Sequence, residues 1–264
     1  MSVTITDEQA RALAQALYAA RRDRLPIDPL TDQAQNMGMA DGYAIQQRLV
    51  RMLLDDGETV SGYKLGLTSA AMQTLLGVDQ PDFGPIFAST VFGDGVIIAV
   101  DRFIAPRVEA EISVVLSADL SGPGCTVGDV QRATSGLVAS VEIVDSRIRD
   151  WRIKLADTVA DLASSGAIAI SDRVVPIEGF DQRLVGMAFS RNGTVIATGA
   201  GAAALGDPLA AVAWLANTLA PLGDHLTAGQ VIMTGALHAM VPVERGDVFT
   251  AEFDRLGSIT VEMA

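Results

Sequence analysis

Residues 106–116, PRVEAEISVVL, place Glu109 and Glu111 one residue apart in an otherwise apolar run. Side chains alternate along a strand, so both carboxylates face one way while Val108, Ala110 and Ile112 face the other. Like charges side by side repel, and burying them unpaired is costly. Either that face is solvated or something positive sits against it. The same face turns apolar again at Val115, which is unlike a plain solvent face. A third acid, Glu142, lies in another apolar run, SVEIVDSRI. Three carboxylates would suffice for a hard divalent cation, magnesium or manganese, which takes oxygen ligands and keeps positions open for water or substrate. Spacing leaves both the metal site and the solvated face open, because it does not make the two strands neighbours.

A second group is Lys64 in SGYKLGLTS, a small, glycine-rich setting. Desolvation lowers a lysine pKa and suits it to proton transfer. Gly62 and Gly66 would let a ligand approach the backbone. The alternative is a strand-end lysine reaching water. In GVDQPDFGPIF, Asp79 and Asp82 bracket a proline and read locally as turn aspartates. Asp145, Arg147, Arg149 and Asp150 read as a solvated or ion-paired strand end. His238, in TGALHAMVPV, could face a cleft or be structural. His225 reads as an exposed loop residue, and Cys125 has no nearby base to activate it.

The elements that must position these groups are mostly short strands. Before them, TITDEQARALAQALYAARRDR carries Thr6 and Gln9 in capping-box spacing, then Ala10, Leu13, Leu17 and Ala20 at helical spacing. LPIDPLTDQ reads as a loop. MADGYAIQQRLVRMLLDDG predicts a second helix with Tyr43, Gln47, Val50 and Leu54 on one side and Gly57 ending it. Residues 1–57 therefore form a helical N-terminal segment, and 58–264 a β-rich domain. The strands read as VSGYKLGL, VIIAV, VEAEISVVL, SVEIVDSR, AIAIS, VIMTGAL, VFTAEF and SITVEM. FSRNGTVIA predicts a hairpin, since Asn192-Gly193 suits a type I′ turn. TVGDVQRATSGL is a short helix. DPLAAVAWLANTLAPLG is a longer one, apolar at Leu209, Val212, Leu215, Ala216 and Leu219. The fold class is α+β rather than a doubly wound parallel sheet.

Composition narrows the chemistry. The chain has 264 residues, is 49% hydrophobic and carries a formal net charge of −13, which argues against nucleic acid or an anionic membrane as partner. No apolar run reaches the length of a membrane span. The N-terminus lacks the pattern of a signal peptide, so a cytoplasmic location is expected. One cysteine forbids an intrachain disulfide. Two histidines leave little for a histidine-based zinc site or a Ser/His triad.

Taken in order, GYKLGLTSAAMQTLLGVDQPDFG, PRVEAEISVVL, SVEIVDSRIRDW, VADLASSGA and TGAL resemble the 2-keto-4-pentenoate hydratase / 4-oxalocrotonate decarboxylase group of the fumarylacetoacetate hydrolase superfamily. The resemblance runs from the MADGYAIQ helix to LGSITVEM. It implies a mixed β-roll or barrel-like core with a small helical N-terminal part. It implies magnesium or manganese on Glu109, Glu111 and Glu142, with Lys64 and Asp82 as catalytic residues. Gly66, Leu67, Thr68, Leu162, Ser164 and His238 fall at substrate-binding positions. The implied substrate is a small 2-hydroxydienoate from aromatic meta-cleavage. The metal would chelate its C1 carboxylate and C2 oxygen, Lys64 and Asp82 would move protons, and water would add at C4. A homo-oligomer is implied, as is association with a pathway aldolase or decarboxylase.

Asp82 and TGAL resemble the hydratases, whereas EAEISVVL with LSGPGC and the GAGAAALGDPLAAVAWLAN stretch resemble the decarboxylases. The hydratase is the leading expectation. A 4-oxalocrotonate decarboxylase is the alternative, and a catalytically weak partner subunit a further one. Acylpyruvate hydrolysis is disfavoured, because the N-terminal half has no histidine to serve as a water-activating base. Two departures stand out. Leu162 replaces the amide of the family's A-D-N-A-S, and His238 stands where hydratases often have glycine.

Overall fold

The computed structural model describes residues 3–34, 36–69, 73–74 and 78–264. The middle of the GYKLGLTSAAMQTLLGVDQPDFG run, at 70–72 and 75–77, lies outside the described residues.

Two helices open the chain, α1 (Asp7–Asp23) and α3 (Met39–Asp55), with a four-residue turn of helix, α2 (Leu30–Gln33), between them. Thr6 caps α1 as its sequence requires: its hydroxyl accepts from the Gln9 amide while the Gln9 side chain accepts from the Thr6 amide. The stripe Ala10, Leu13, Leu17 and Ala20 is buried. In α3 the expected face is displaced. Ile45, Leu49 and Leu53 go inward with Gly42 and Gln46, while Gln47 and Leu54 are exposed. A second stripe at i, i+4 spacing, one position off the expected one, wins because it meets α1 and the buried backbone beyond it. The Gln46 amide donates to the Phe83 and Val159 carbonyls. The segment read as a loop contains α2, because the Asp157 carboxylate accepts from both the amide and the hydroxyl of Thr31.

The strands are β1 (Val60–Gly66), β2 (Asp82–Phe87), β3 (Val91–Gly93), β4 (Val96–Ile98), β5 (Arg107–Leu116), β6 (Thr134–Val144), β7 (Ser165–Ile170), β8 (Gly186–Arg191), β9 (Thr194–Ala200), β10 (Val231–Ala236), β11 (Val241–Pro242), β12 (Asp247–Phe253) and β13 (Gly257–Met263). They form two mixed sheets. The larger has the order β2-β1-β10-β5-β6-β7-β3, with β11 also on β5; the smaller has the order β4-β13-β12-β8-β9. Parallel pairs (β1 with β10, β3 with β7, β4 with β13) sit among antiparallel ones. The expected hairpin is β8–β9, with both Asn192 and Gly193 at positive φ. Later helices are α4 (Val127–Ala133), α5 (Leu155–Ala160) and α6 (Pro208–Leu219).

The main core lies against one face of the large sheet. It gathers Val108, Ala110, Ile112 and Val114 of β5, Leu137, Ala139, Val141 and Ile143 of β6, and the inward residues of β12, β13 and α6. A second apolar cluster joins α1 and α3 to Phe87, Ile148, Ala160 and Leu162. The other face of the large sheet carries buried polar residues beside a small apolar cluster of Ile86, Ile168 and Met233.

Candidate active site

Five consecutive strands, β2-β1-β10-β5-β6, each bring a group to that second face. In β5, Glu109 and Glu111 share a side because of the two-residue period, and their neighbours fill the core. Register does the rest. Glu109 pairs directly with Glu142 of β6, and Glu111 lies opposite Ala236 of β10. Lys64 of β1 pairs with Met233 of β10 and Gly84 of β2, and Gly66 with Asp82.

The solvated-face alternative fails here. Glu111 and Glu142 are fully buried and Glu109 half-buried. One carboxylate oxygen from each lies within 4.8 Å of the others. Lys64 Nζ stands 3.4 Å from Glu142 Oε2, an ion-pair distance, and donates to the Ala163 carbonyl at 3.0 Å. Glu111 Oε2 accepts from the Gly235 amide at 2.8 Å. Beyond these, Glu111 Oε1 and both Glu142 oxygens are buried without a hydrogen bond. Buried carboxylate oxygens are rarely left so. All-oxygen donors, converging and unsatisfied, fit a hard divalent cation.

The electrostatics agree. Burial, then Glu142, pushes the Glu109 carboxyl up to about 8 against the pull of Lys64. Burial and the neighbouring acids also raise Glu111, and burial raises Glu142 despite Lys64. Lys64 departs from the sequence expectation. Burial does press its pKa down, but attraction from Glu142, Asp82, Glu109 and Glu111 is larger, and the net shift is upward. Desolvation alone was the wrong guide, because four acids share its enclosure.

Asp82 is not a turn residue. It begins β2 and is buried; burial raises its carboxyl while Lys64 opposes. Its Oδ1 has no hydrogen bond and packs where a side chain on Gly66 would be, so residue 66 must lack a Cβ. Asp79 is exposed. Thr68 is buried against the Cα of Gly235, and Leu67 adopts a positive φ of 57° where the chain leaves β1.

The ADLAS segment forms an unusual turn. Leu162, Ala163 and Ser164 have φ of 56°, 51° and 57°, three non-glycine residues in succession in the left-handed region. Each such residue costs about 1–2 kcal/mol, so the surroundings must hold the turn. Arg147 donates to the Asp161 and Ser165 carbonyls at 2.6 and 2.9 Å and pairs with the buried Asp161 carboxylate. The Ser164 carbonyl accepts from the Asp145 amide at 2.8 Å. The turn's product is the Ala163 carbonyl aimed at Lys64. The strand end read as solvated or ion-paired is buried at its start: Arg147 and Asp145 are 2% and 5% exposed, and Arg147 is ion-paired with Asp161. Arg149 and Asp150 are exposed, as expected, and Arg149 pairs with Asp28 at the surface.

Two expected substrate-binding side chains are not brought to the acids. Leu162 is fully buried in the α1–α3 cluster beside Phe87 and Ala160. His238 is held by backbone at both ring nitrogens: Nε2 accepts from the Ala110 amide at 2.9 Å, and Nδ1 donates to the Ala239 carbonyl at 2.7 Å. It stacks on Phe189 and fills the break in the ladder where β10 leaves β5 and β11 has not begun. Ser164 is buried, with its hydroxyl paired to Thr158. Sequence reasoning missed the Gly235 amide and the Ala163 carbonyl, and read Tyr43 only as a helix-face residue. The Tyr43 hydroxyl is buried without a partner, its ring stacked on Phe83, and burial followed by the Asp82 charge raises its pKa. Only the glycine of TGAL offered a signal.

The chain is 45% identical to a 2-keto-4-pentenoate hydratase of Paraburkholderia xenovorans LB400, over 98% of this chain and 96% of that one. It is 39% identical to a 4-oxalocrotonate decarboxylase of Pseudomonas putida, over 98% of each. The structure of 4-oxalocrotonate decarboxylase from Pseudomonas putida G7, complexed with magnesium and adipate, superposes with a TM-score of 0.96 at 39% identity, covering all of both chains. Residues 66–264 match the fumarylacetoacetate (FAA) hydrolase C-terminal family model, and the chain belongs to that family.

Proposed function

We propose that the protein is a metal-dependent hydro-lyase that adds water to 2-hydroxypenta-2,4-dienoate, or a close analogue, giving a 4-hydroxy-2-oxo acid in aromatic meta-cleavage catabolism. The observation that carries this is the three-glutamate cluster with Lys64 and Asp82 beside it, in a chain 45% identical to a named hydratase. Residues 58–264 carry the chemistry, and 1–57 form a helical segment packed on them.

Glu109, Glu111 and Glu142 would hold Mg2+ or Mn2+, with the Gly235 amide fixing Glu111. A bound cation would offset their charge and supply Lewis acidity toward the substrate's carboxylate and 2-oxygen. The Ala163 carbonyl orients Lys64, and the acids keep it an ammonium able to donate a proton. Asp82, its carboxyl raised by burial, is the second proton-transfer group. Gly66, Leu67 and Thr68, which follow Lys64 at the end of β1 and pack against Asp82 and Gly235, would bind the substrate.

A second reading, 4-oxalocrotonate decarboxylation, is favoured by the match to the decarboxylase structure over its whole length. The higher identity to the hydratase, and the acid at Asp82, favour hydration. Exposed Ile97, Val195 and Ile196, on the two edge strands of the smaller sheet, support a homo-oligomer. The test is turnover of fresh 2-hydroxypenta-2,4-dienoate, followed by loss of ultraviolet absorbance with magnesium, manganese or chelator. 2-Oxohex-3-enedioate and Glu109→Gln are run in parallel. Metal-dependent loss of the monoacid, without carbon dioxide from the diacid, supports the hydratase. Carbon dioxide release selects the decarboxylase. Silence on both, with metal still bound, rejects both and favours a catalytically weak partner subunit.

A further inference from the structure

A separate cavity of about 130 Å³ opens where the end of α1 meets the ends of β6 and β7. Arg21, Arg24, Arg102 and Arg147 line it with a single carboxylate, Asp145; Thr90, Phe103, Ile104, Gly166 and Ala167 complete it. Four guanidinium groups around one small space stand out in a chain of net charge −13.

The local acids do not neutralise them. Asp145 already accepts from the Ile104 and Ala105 amides. Arg147 is matched by Asp161. Among the described residues, none of Arg21, Arg24 and Arg102 has a carboxylate within ion-pair distance, and Arg21 makes only a long 3.4 Å bond, to the Ser165 carbonyl. Arg102 lies over the Phe92 ring, and Arg21 over Phe87. Burial, then repulsion from Arg147, presses the Arg21 pKa down to about 10, against the pull of Asp161, Glu58 and Asp145. Guanidinium forks suit tetrahedral and planar oxyanions. Gly166 lets β7 pack closely against β6 beneath the cavity, since a Cβ there would strike the Ile143 carbonyl.

We propose that this arginine-lined cavity is a binding site for a small oxyanion, a phosphate or carboxylate, separate from the glutamate cluster. Arg21 and Arg147 form its base, and Arg24 and Arg102 its exposed rim. Arg147 also holds both ends of the turn that presents Ala163 to Lys64, so an occupant would touch a group that shapes the active site.

The test uses full-length, chelator-treated protein titrated with inorganic phosphate, and separately with acetate, at constant ionic strength. Calorimetry and thermal shift are the readouts. Arg102→Gln and Arg24→Gln change exposed rim residues and should leave the fold intact by circular dichroism. Saturable phosphate binding, weakened about tenfold or more in each variant, is the expected result. Acetate binding with the same variant dependence would make carboxylate the occupant instead. No saturable binding of either ion, or equal binding in wild type and variants, overturns the proposal.

Discussion

Cation binding at the glutamate cluster should release protons, because the site holds its own before any metal arrives. Glu109 is held at about 8, so near pH 7 most copies are protonated. A cation must displace that proton. Competition of this kind weakens apparent affinity by about tenfold at pH 7 and about a hundredfold at pH 6, but only about twofold at pH 8. Glu111 and Glu142 are also raised, so the true slope is at least that steep. The assay is calorimetry with manganese at pH 6, 7 and 8.5, each in two buffers of different ionisation heat. At pH 7 the buffer-dependent heat should report about one proton released or more, and fewer at pH 8.5. Glu109→Gln should flatten the slope. An affinity constant between pH 6 and 8, with no proton release, would refute the clustering of charge on which the site rests.

The same shift fixes the sign of an effect on stability. Glu109 titrates near 4.5 when unfolded and near 8 when folded without metal. Its contribution is fully present below 4.5 and is lost as pH rises toward 8. Chelated protein should therefore melt at progressively lower temperature across that window, with manganese restoring the loss at its upper end.

Lys64→Met should lower turnover by about 10²–10⁴-fold while manganese still binds; unchanged turnover would remove Lys64 from the chemistry. For His238, burial lowers the pKa from 6.5, and protonation would cost Nε2 its role as acceptor for Ala110. The stability advantage of the wild type over His238→Gln should thus shrink as pH drops below 6.5; parallel melting curves would count against the assignment. Leu162→Asn puts an amide in an apolar cluster and should cost about 1–3 kcal/mol in urea unfolding without raising turnover. A gain in turnover would show that residue 162 reaches the substrate. Arg147→Met leaves Asp161 buried and unpaired and should cost about 3–5 kcal/mol; a neutral result in the same assay would mean the turn is held by other contacts.

Much of the frame was legible from local pattern. The α1 capping box, the hairpin at Asn192-Gly193 and the apolar stripe of α6 depend on residues close in the chain, and each formed as written. Failures came where a distant partner decided. The α3 face shifted because of what packs on it. Asp82 read as a turn residue because its strand partner, Gly66, lies sixteen positions back. Lys64 moved opposite to the direction desolvation alone predicts, because its acids come from three other strands. No local rule foresees three left-handed residues at 162–164; Arg147 and Asp161 make that turn tolerable.

Sheet order explains why glutamate spacing alone could not settle the site. Between β1 and β6 lie β10 and β5, and at about 4.8 Å per strand a flat sheet separates them by about 14 Å. Side chains standing upright on such a sheet would not meet. Yet Lys64 Nζ lies 3.4 Å from Glu142 Oε2. The sheet must curl about this face, or both side chains must lean across it, and either demands a clear path over β10 and β5. On β10 the path passes Gly235, whose missing Cβ makes room for Thr68 and whose amide binds Glu111. On β5 it passes the paired glutamates themselves. The carboxylates are thus tolerated in an apolar strand because the fold gives them a lysine across the sheet and leaves the remaining oxygens convergent for a cation.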